Sequence, residues 1–387
     1  MDRDLQISLL SELNDLCENK AHFLDDRIHA APVERYFDVK RFEAEQDALF
    51  KSLPQIAAHS SELATPGSYL TVELSQTPVL LTRTRAGELN AFLNVCRHRG
   101  ARLVGEDSGC KNTFSCPYHG WTWDAAGQLR GVPHERDGFP DLNRAQYGLH
   151  RLPVHEANGL IWVVLKPGSE VDFEAHIQPI TVDLDWIGMD KMVVAASDHL
   201  EVAANWKIIV EGGIEAYHFR VTHKNTIGPH FLDNLSSFQM LGRHMRSILP
   251  RVSVSTFAAR DGEDPSIRDH ANILYSLMAA DQFLLMQDHV AWIHADPLSA
   301  DRTQLRISTL VPGSEFTEEK RGHWVRNHEI TKMTLREDFD INEAIQKGLK
   351  TGANKTLTFG RFESALARFN AEVERYLSSS SPADVQN

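Results

Sequence analysis

Four residues in two short stretches stand out for the chemistry their types and spacing allow. Cys96-Arg97-His98 is a C-x-H pair, and Cys116-Pro117-Tyr118-His119 is a C-x-x-H pair, with 17 residues between His98 and Cys116. Each pair falls on a loop between β-forming runs, so the two loops can close over one metal centre. Two thiolates and two imidazoles suit a tetrahedral structural zinc. They also suit a [2Fe–2S] centre in which two imidazoles replace two thiolates on one iron. Cys17 and Cys110 have no partner at such spacing and read as ordinary thiols.

A second dense stretch runs from Asn205 to His223 and holds Glu215, His218 and His223. Five residues turn a straight helix by about 140°, so the helix must end or distort before both histidines can face one ion. The expected break is Arg220-Val221-Thr222, with two β-branched residues. Glu215 and His218, three apart, share a helix face. Glu-x-x-His also builds di-iron bundles, which need two copies on separate helices. None of the other histidines has Glu three residues before it, which excludes that centre. Two readings remain: two polar histidines in a loop, or two arms of a facial triad completed by a distant carboxylate.

With their neighbours, Cys96-Arg97-His98-Arg99-Gly100 and Cys116-Pro117-Tyr118-His119-Gly120-Trp121 strongly resemble the cluster boxes of the Rieske non-haem iron ring-hydroxylating oxygenases, in their alpha (terminal oxygenase) subunits. The Asn205–His223 stretch is similar to that family's mononuclear-iron motif, and the likeness covers roughly residues 35–375. It implies Cys96, His98, Cys116 and His119 as ligands of a Rieske [2Fe–2S] cluster, and His218, His223 and a C-terminal aspartate as ligands of a mononuclear Fe(II). Arg336 to Gln346 resembles the family's C-terminal acidic segment and points to Asp338, with Asp340 and Glu337 as the neighbouring registers. The resemblance also makes Glu215 the electron link, set between His119 of one subunit and His218 of the next in a homotrimer.

The function this implies is the terminal oxygenase of a multicomponent system. It would use O₂ and electrons from NAD(P)H to hydroxylate, or oxidatively demethylate, a small aromatic or quaternary ammonium substrate. No G-x-G-x-x-G follows a strand, so electrons must come from a separate reductase, with or without a ferredoxin. Glu215 stands where ring-dihydroxylating relatives more often have Asp, and Gly212 where many have Asn. Both departures favour monooxygenation over the alternative, cis-dihydroxylation of an aromatic ring. A cationic substrate would call for an aromatic cage, for which Trp292, Phe231, Phe238 and Tyr275 are candidates. Readings from other classes are a non-catalytic Rieske electron carrier and a zinc-stabilised binding protein.

The elements that must position these residues describe an α+β chain. Short β-rich runs at 68–74, 79–84, 121–129 and 159–165 predict a small all-β Rieske domain over 41–168. Beyond it, a helical pattern from Trp206 broken at Gly212-Gly213, strands near 283–286, 290–293 and 305–311, and helices over 333–349 and 359–377 predict a catalytic domain over 169–378. Its expected form is a large antiparallel sheet flanked by helices, helix-grip-like. Residues 1–40 read as a helical segment packing on that domain and 379–387 as a disordered tail. The net charge of −13 argues against a nucleic-acid partner. No apolar run reaches 18 residues and the N-terminus has no apolar signal core, so a cytoplasmic protein without membrane attachment is expected.

Overall fold

The computed structural model describes residues 1–257 and 266–379, so the expected tail lies, after Ser379, outside the described residues. The chain forms two compact units, Met1–Leu49 with Gln178–Asn387, and Phe50–Ile177.

Phe50–Ile177 is built of antiparallel strands. Ser68–Leu74, Thr77–Arg83 and Leu89–Leu93 form the centre of a five-stranded sheet, edged by Arg151–Leu152 and Ser108–Cys110. The first two strands turn through Ser75 and Gln76, both at positive φ, the backbone that lets a two-residue hairpin follow the strand twist. Two three-stranded sheets complete the unit; one joins Thr113–Ser115, Thr122–Asp124 and Leu129–Gly131. Tyr69, Phe92, Phe114, Trp121 and Trp123 pack into one buried cluster that also takes in Cys96 and Cys116. Both cysteines are therefore rooted in core while their loops reach the surface.

The other unit is organised on a seven-stranded antiparallel sheet. Its strands are β1 (Met192–Val202), β2 (Ser237–Leu241), β3 (His244–Pro250), β4 (Ala271–Leu277), β5 (Asp281–Leu285), β6 (Val290–Ser299) and β7 (Arg302–Pro312), in the order β1-β7-β6-β5-β4-β3-β2. Its helices include α1 (Arg3–Glu18), α2 (Trp206–Ile214), α3 (Arg321–Leu349) and α4 (Ser364–Ser379). The strand His29–Pro32 pairs with Thr356–Phe359, which ties the N-terminal segment to the chain just before α4.

α2 starts at Asn205, whose side chain accepts from the Lys207 N–H, and runs through Gly212-Gly213 to Ile214, so the glycines do not break it. At Gly213 a Cβ would sit 2.7 Å from the Gln282 side chain on β5; glycine there is demanded by close approach to the sheet. Gln282 donates to the Val210 carbonyl, which identifies the face of the sheet that α2 covers. Lys207 and Glu45 are both fully buried and paired, with Trp206 Nε1 also donating to Glu45. That pair holds residues 41–49 with this unit rather than with the strands that follow.

Candidate functional site

The two cysteine loops adopt one turn twice. In each, the cysteine N–H donates to the carbonyl five residues on (Ala101, Trp121), and the glycine N–H four residues on returns to the cysteine carbonyl. Gly100 and Gly120 close these turns at φ +78° and +72°, where other residues are strained. The turns bring the His98 and His119 rings to 4.8 Å, and Trp121 stacks parallel on His98 at 4.8 Å. Burial, with His119 and Arg99 nearby, holds His98 below its ordinary pKa, so its imidazole stays neutral as a metal donor must be. Its Nδ1 is buried without a hydrogen-bond partner, an orphaned atom that a metal would satisfy.

The donor spacing also bears on which metal fits. A tetrahedral zinc would bring its four donors within about 4 Å of one another. Among the described residues, three metal-ligating donors meet within 4.8 Å at His218, His223 and Asp338, and not among the two cysteines and two histidines. Two thiols and two imidazoles whose donors do not all converge on one point fit a two-iron cluster, with one pair on each iron.

The second site is assembled from two separate pieces. The backbone turns extended at Glu215, and Phe219–Thr222 then form one helical turn flanked by His218 and His223. The change of direction thus lies at Glu215, upstream of the expected break at Arg220-Val221-Thr222. α3 supplies the carboxylate: Asp338 Oδ1 lies 3.3 Å from His218 Nε2 and 3.0 Å from His223 Nε2. Each Nδ1 is taken by a different carboxylate, Glu215 at His218 and Glu337 at His223 (2.7 Å). Glu337 also accepts from Thr226 Oγ1. Holding Nδ1–H in this way leaves both Nε2 atoms free to face a metal. Asp340 is turned out to solvent and pairs with Arg336.

Electrostatics match the geometry. Burial disfavours a charged His218, but Asp338 and Glu215 outweigh it and raise its pKa to about 10; His223 is raised in the same sense by Asp338 and Glu337. Burial works to raise Asp338, yet the two histidines hold it below its ordinary value. Two imidazoles and a carboxylate thus share protons where a divalent ion would replace them.

A cavity of about 410 Å³ adjoins this site, with Glu211, Glu215, His218, Asp338 and Asn342 in its wall and Ile341, Ile345 and Phe359 among its apolar residues. The four aromatics considered as a cage do not gather. Tyr275, Phe283 and Trp292 are opposite one another across β4, β5 and β6, on the face away from Gln282 and α2. Trp292 is already covered by Arg306 and donates to Asp281. Phe238 is on the other face, and Phe231 stacks through Phe219 toward His223.

Of the residues singled out in the sequence, the structure brings His218, His223 and Asp338 together with Glu215 at one ring, and the His98 and His119 rings together; Glu337, expected with Asp340 only as a neighbouring register for the ligand, lies against His223 instead. Sequence reasoning missed Thr226 and the stacking role of Trp121, although Trp121 lies within the second cysteine box.

Residues 54–152 match the Rieske [2Fe-2S] domain family, and residues 189–379 match the ring hydroxylating alpha subunit (catalytic domain) family. The chain is 33% identical over 227 residues to a glycine betaine monooxygenase oxygenase subunit of Pseudomonas aeruginosa, covering 58% of this chain and 52% of the relative. It is 26% identical over 360 residues to a carnitine monooxygenase oxygenase subunit of Acinetobacter baumannii, covering 88% and 93%. The benzene 1,2-dioxygenase subunit alpha of Pseudomonas putida is 33% identical over 206 residues, covering 52% and 44%. The chain thus spans about half the length of the first and third of these relatives. In fold, it superposes on a quaternary ammonium Rieske monooxygenase with TM-score 0.77 at 24% identity, covering 94% of this chain and 98% of the other.

Proposed function

This chain belongs to the Rieske non-haem iron ring-hydroxylating oxygenases, alpha subunits, and we propose that it is the terminal oxygenase of a multicomponent monooxygenase. It would take electrons from NAD(P)H through a separate reductase, with or without a ferredoxin, and hydroxylate or oxidatively demethylate a small organic substrate. The observation that carries this reading is the meeting of His218 Nε2, His223 Nε2 and Asp338 Oδ1, in a chain that also carries the paired cysteine–histidine loops.

When bound, the [2Fe–2S] cluster supplies single electrons and Fe(II) supplies a site for O₂ reduction. The protein's own residues set up that chemistry. Cys96 and Cys116 would hold one iron of the cluster, and His98 and His119 the other. His218, His223 and Asp338 would hold the mononuclear iron on one face, leaving the opposite face to substrate and O₂. Glu337 fixes the ring of His223. Glu215 fixes the ring of His218, and we read it also as the link toward His119 of a neighbouring subunit in a homotrimer. Buried Cys96 and Cys116 and more exposed histidine rings support that reading, because the imidazole side of the cluster is the side a partner can reach.

For substrate class, the carnitine and glycine betaine relatives, together with Glu at 215, support a quaternary ammonium compound. Cis-dihydroxylation of an aromatic ring is the second reading, favoured by the benzene 1,2-dioxygenase relative. No described helix is long and apolar enough to cross a membrane, and we place the protein in the cytoplasm. The test is product formation: purified chain, a Rieske-oxygenase reductase, NADH and O₂ are supplied with trimethylammonium acids or aromatic acids. A hydroxylated or demethylated ammonium product supports the proposal, a cis-diol supports the second reading, and NADH use without product from any substrate counts against both.

A further inference from the structure

The three donors of the mononuclear site ride on two pieces of chain more than a hundred residues apart: His218 and His223 follow α2, and Asp338 lies on α3. Metal distances tolerate errors of only about 0.2 Å, so something must fix one piece against the other. One fully buried residue reaches both. The Tyr36 hydroxyl donates to Glu211 on α2 at 2.8 Å, while its backbone carbonyl accepts from Gln346 on α3 at 3.1 Å. Gln346 also accepts, through Oε1, from the N–H of Asn205, the residue that caps α2. Glu211 takes a second bond from Asn370 on α4. Glu211 is seven residues before His218, and Gln346 is about 12 Å along α3 from Asp338. We propose that Tyr36 is a positioning residue of the iron site, joining α2 to α3 so that Asp338 meets both histidines.

The chemistry of the link favours such a role. A phenol donating to a buried carboxylate makes a strong, directional bond, and the protein interior leaves it no water to exchange with. Burial and the neighbouring Glu211 push the Tyr36 phenol up, so it keeps its proton; burial also raises Glu211, to about 7, above which the phenol donates to a carboxylate. A backbone carbonyl cannot be moved without moving the segment, which the Glu45–Lys207 pair and the His29–Pro32 strand hold in place.

The inference rests on the triad being an iron site. The experiment uses the full chain with its cluster and measures Fe²⁺ affinity by chelator competition, cluster absorbance per chain, Tm, and the EPR signal of the Fe(II)–nitric oxide adduct. Tyr36→Phe removes only the hydroxyl and Gln346→Met only the amide. Val33→Ala, in the same segment and buried outside these hydrogen bonds, is the control for lost stability. The expected result is a roughly ten- to hundredfold weaker Fe²⁺ affinity and an altered nitrosyl signal in the first two variants, with cluster absorbance unchanged. Val33→Ala should lower Tm without either change. Wild-type affinity and nitrosyl signal in Tyr36→Phe and Gln346→Met overturn the proposal; if Tyr36→Phe does not fold, Gln346→Met decides. A wild-type chain that binds no iron beyond its cluster overturns the iron reading instead.

Discussion

Gly212 and Gly213 are adjacent in α2, yet alanine should act on them in opposite directions. Alanine gains up to about 1 kcal/mol of helix propensity over glycine at either site. At Gly212 the nearest atom to the new Cβ would be Asn342 Oδ1 at 3.9 Å, ordinary contact, so the gain survives. At Gly213 the Cβ would fall 2.7 Å from Gln282 Oε1 and 2.8 Å from its Nε2. Gln282 is buried and donates to the Val210 carbonyl at 2.9 Å and to Ser276 at 3.2 Å, so it cannot retreat without losing those bonds. Overpacking costs about 1–3 kcal/mol and an unsatisfied buried amide a further ~1–3 kcal/mol. The net is a loss of about 1–5 kcal/mol for Gly213→Ala against a gain of up to about 1 kcal/mol for Gly212→Ala. At about 2–4 °C per kcal/mol, far-ultraviolet circular dichroism melts resolve the two, with visible absorbance following the cluster unit separately. Because α2 leads into Glu215 and His218, Gly213→Ala should also retain less iron. Equal stability of the two variants, or a stabilised Gly213→Ala, would refute the close-approach argument.

Other perturbations separate the roles at the metal sites. Glu337→Gln should weaken Fe²⁺ binding about ten- to hundredfold in chelator titrations, whereas Asp340→Asn, altering an exposed carboxylate paired with Arg336, should leave it unchanged. Glu215→Gln should keep iron content and cluster spectrum but lose most turnover; normal product formation would remove Glu215 from the electron path. In the metal-free chain His218 has a folded pKa of about 10, above its unfolded 6.5. Its contribution to stability is therefore fully present below pH 6.5 and lost as pH rises through about 10, which melts of chelator-treated protein between those limits would show. Fe²⁺ uptake must displace that proton, so buffer-dependent calorimetry should record proton release on binding.

The candidate donors could be singled out because metal ligation constrains residue type and local spacing, as in the two cysteine boxes and the Glu215–His223 stretch. Their arrangement was less legible. Which acidic residue near 338 meets the histidines depends on the rotation of α3, and neighbouring Glu337 and Asp338 end in different tasks: Asp338 faces the Nε2 atoms of both rings, Glu337 the Nδ1 of His223 alone. α3 itself starts at Arg321, twelve residues before the predicted 333, because exposed Val325, Ile330 and Met333 blur its buried stripe of Trp324, His328 and Thr331. The C-terminal helix, expected from 359, begins at Ser364 because Thr356–Phe359 is drawn into a strand by His29–Pro32, a pairing set by tertiary contact. The Ser75-Gln76 turn carries no Asn-Gly or Asp-Gly signal, although its backbone is that of a tight hairpin. The aromatic cage failed for a register reason: Tyr275 and Trp292 point to the sheet face opposite α2, and composition does not reveal facing.

The central claim is that one chain holds both a Rieske cluster and a separate mononuclear iron. Iron and acid-labile sulfide counted per chain, in wild type and in Asp338→Ala, test it most directly. The wild type should carry a full [2Fe–2S] complement with one further iron and give a rhombic EPR signal on reduction, and the variant should lose that one iron alone. Zinc without labile sulfide, or iron content unchanged by Asp338→Ala, would contradict it.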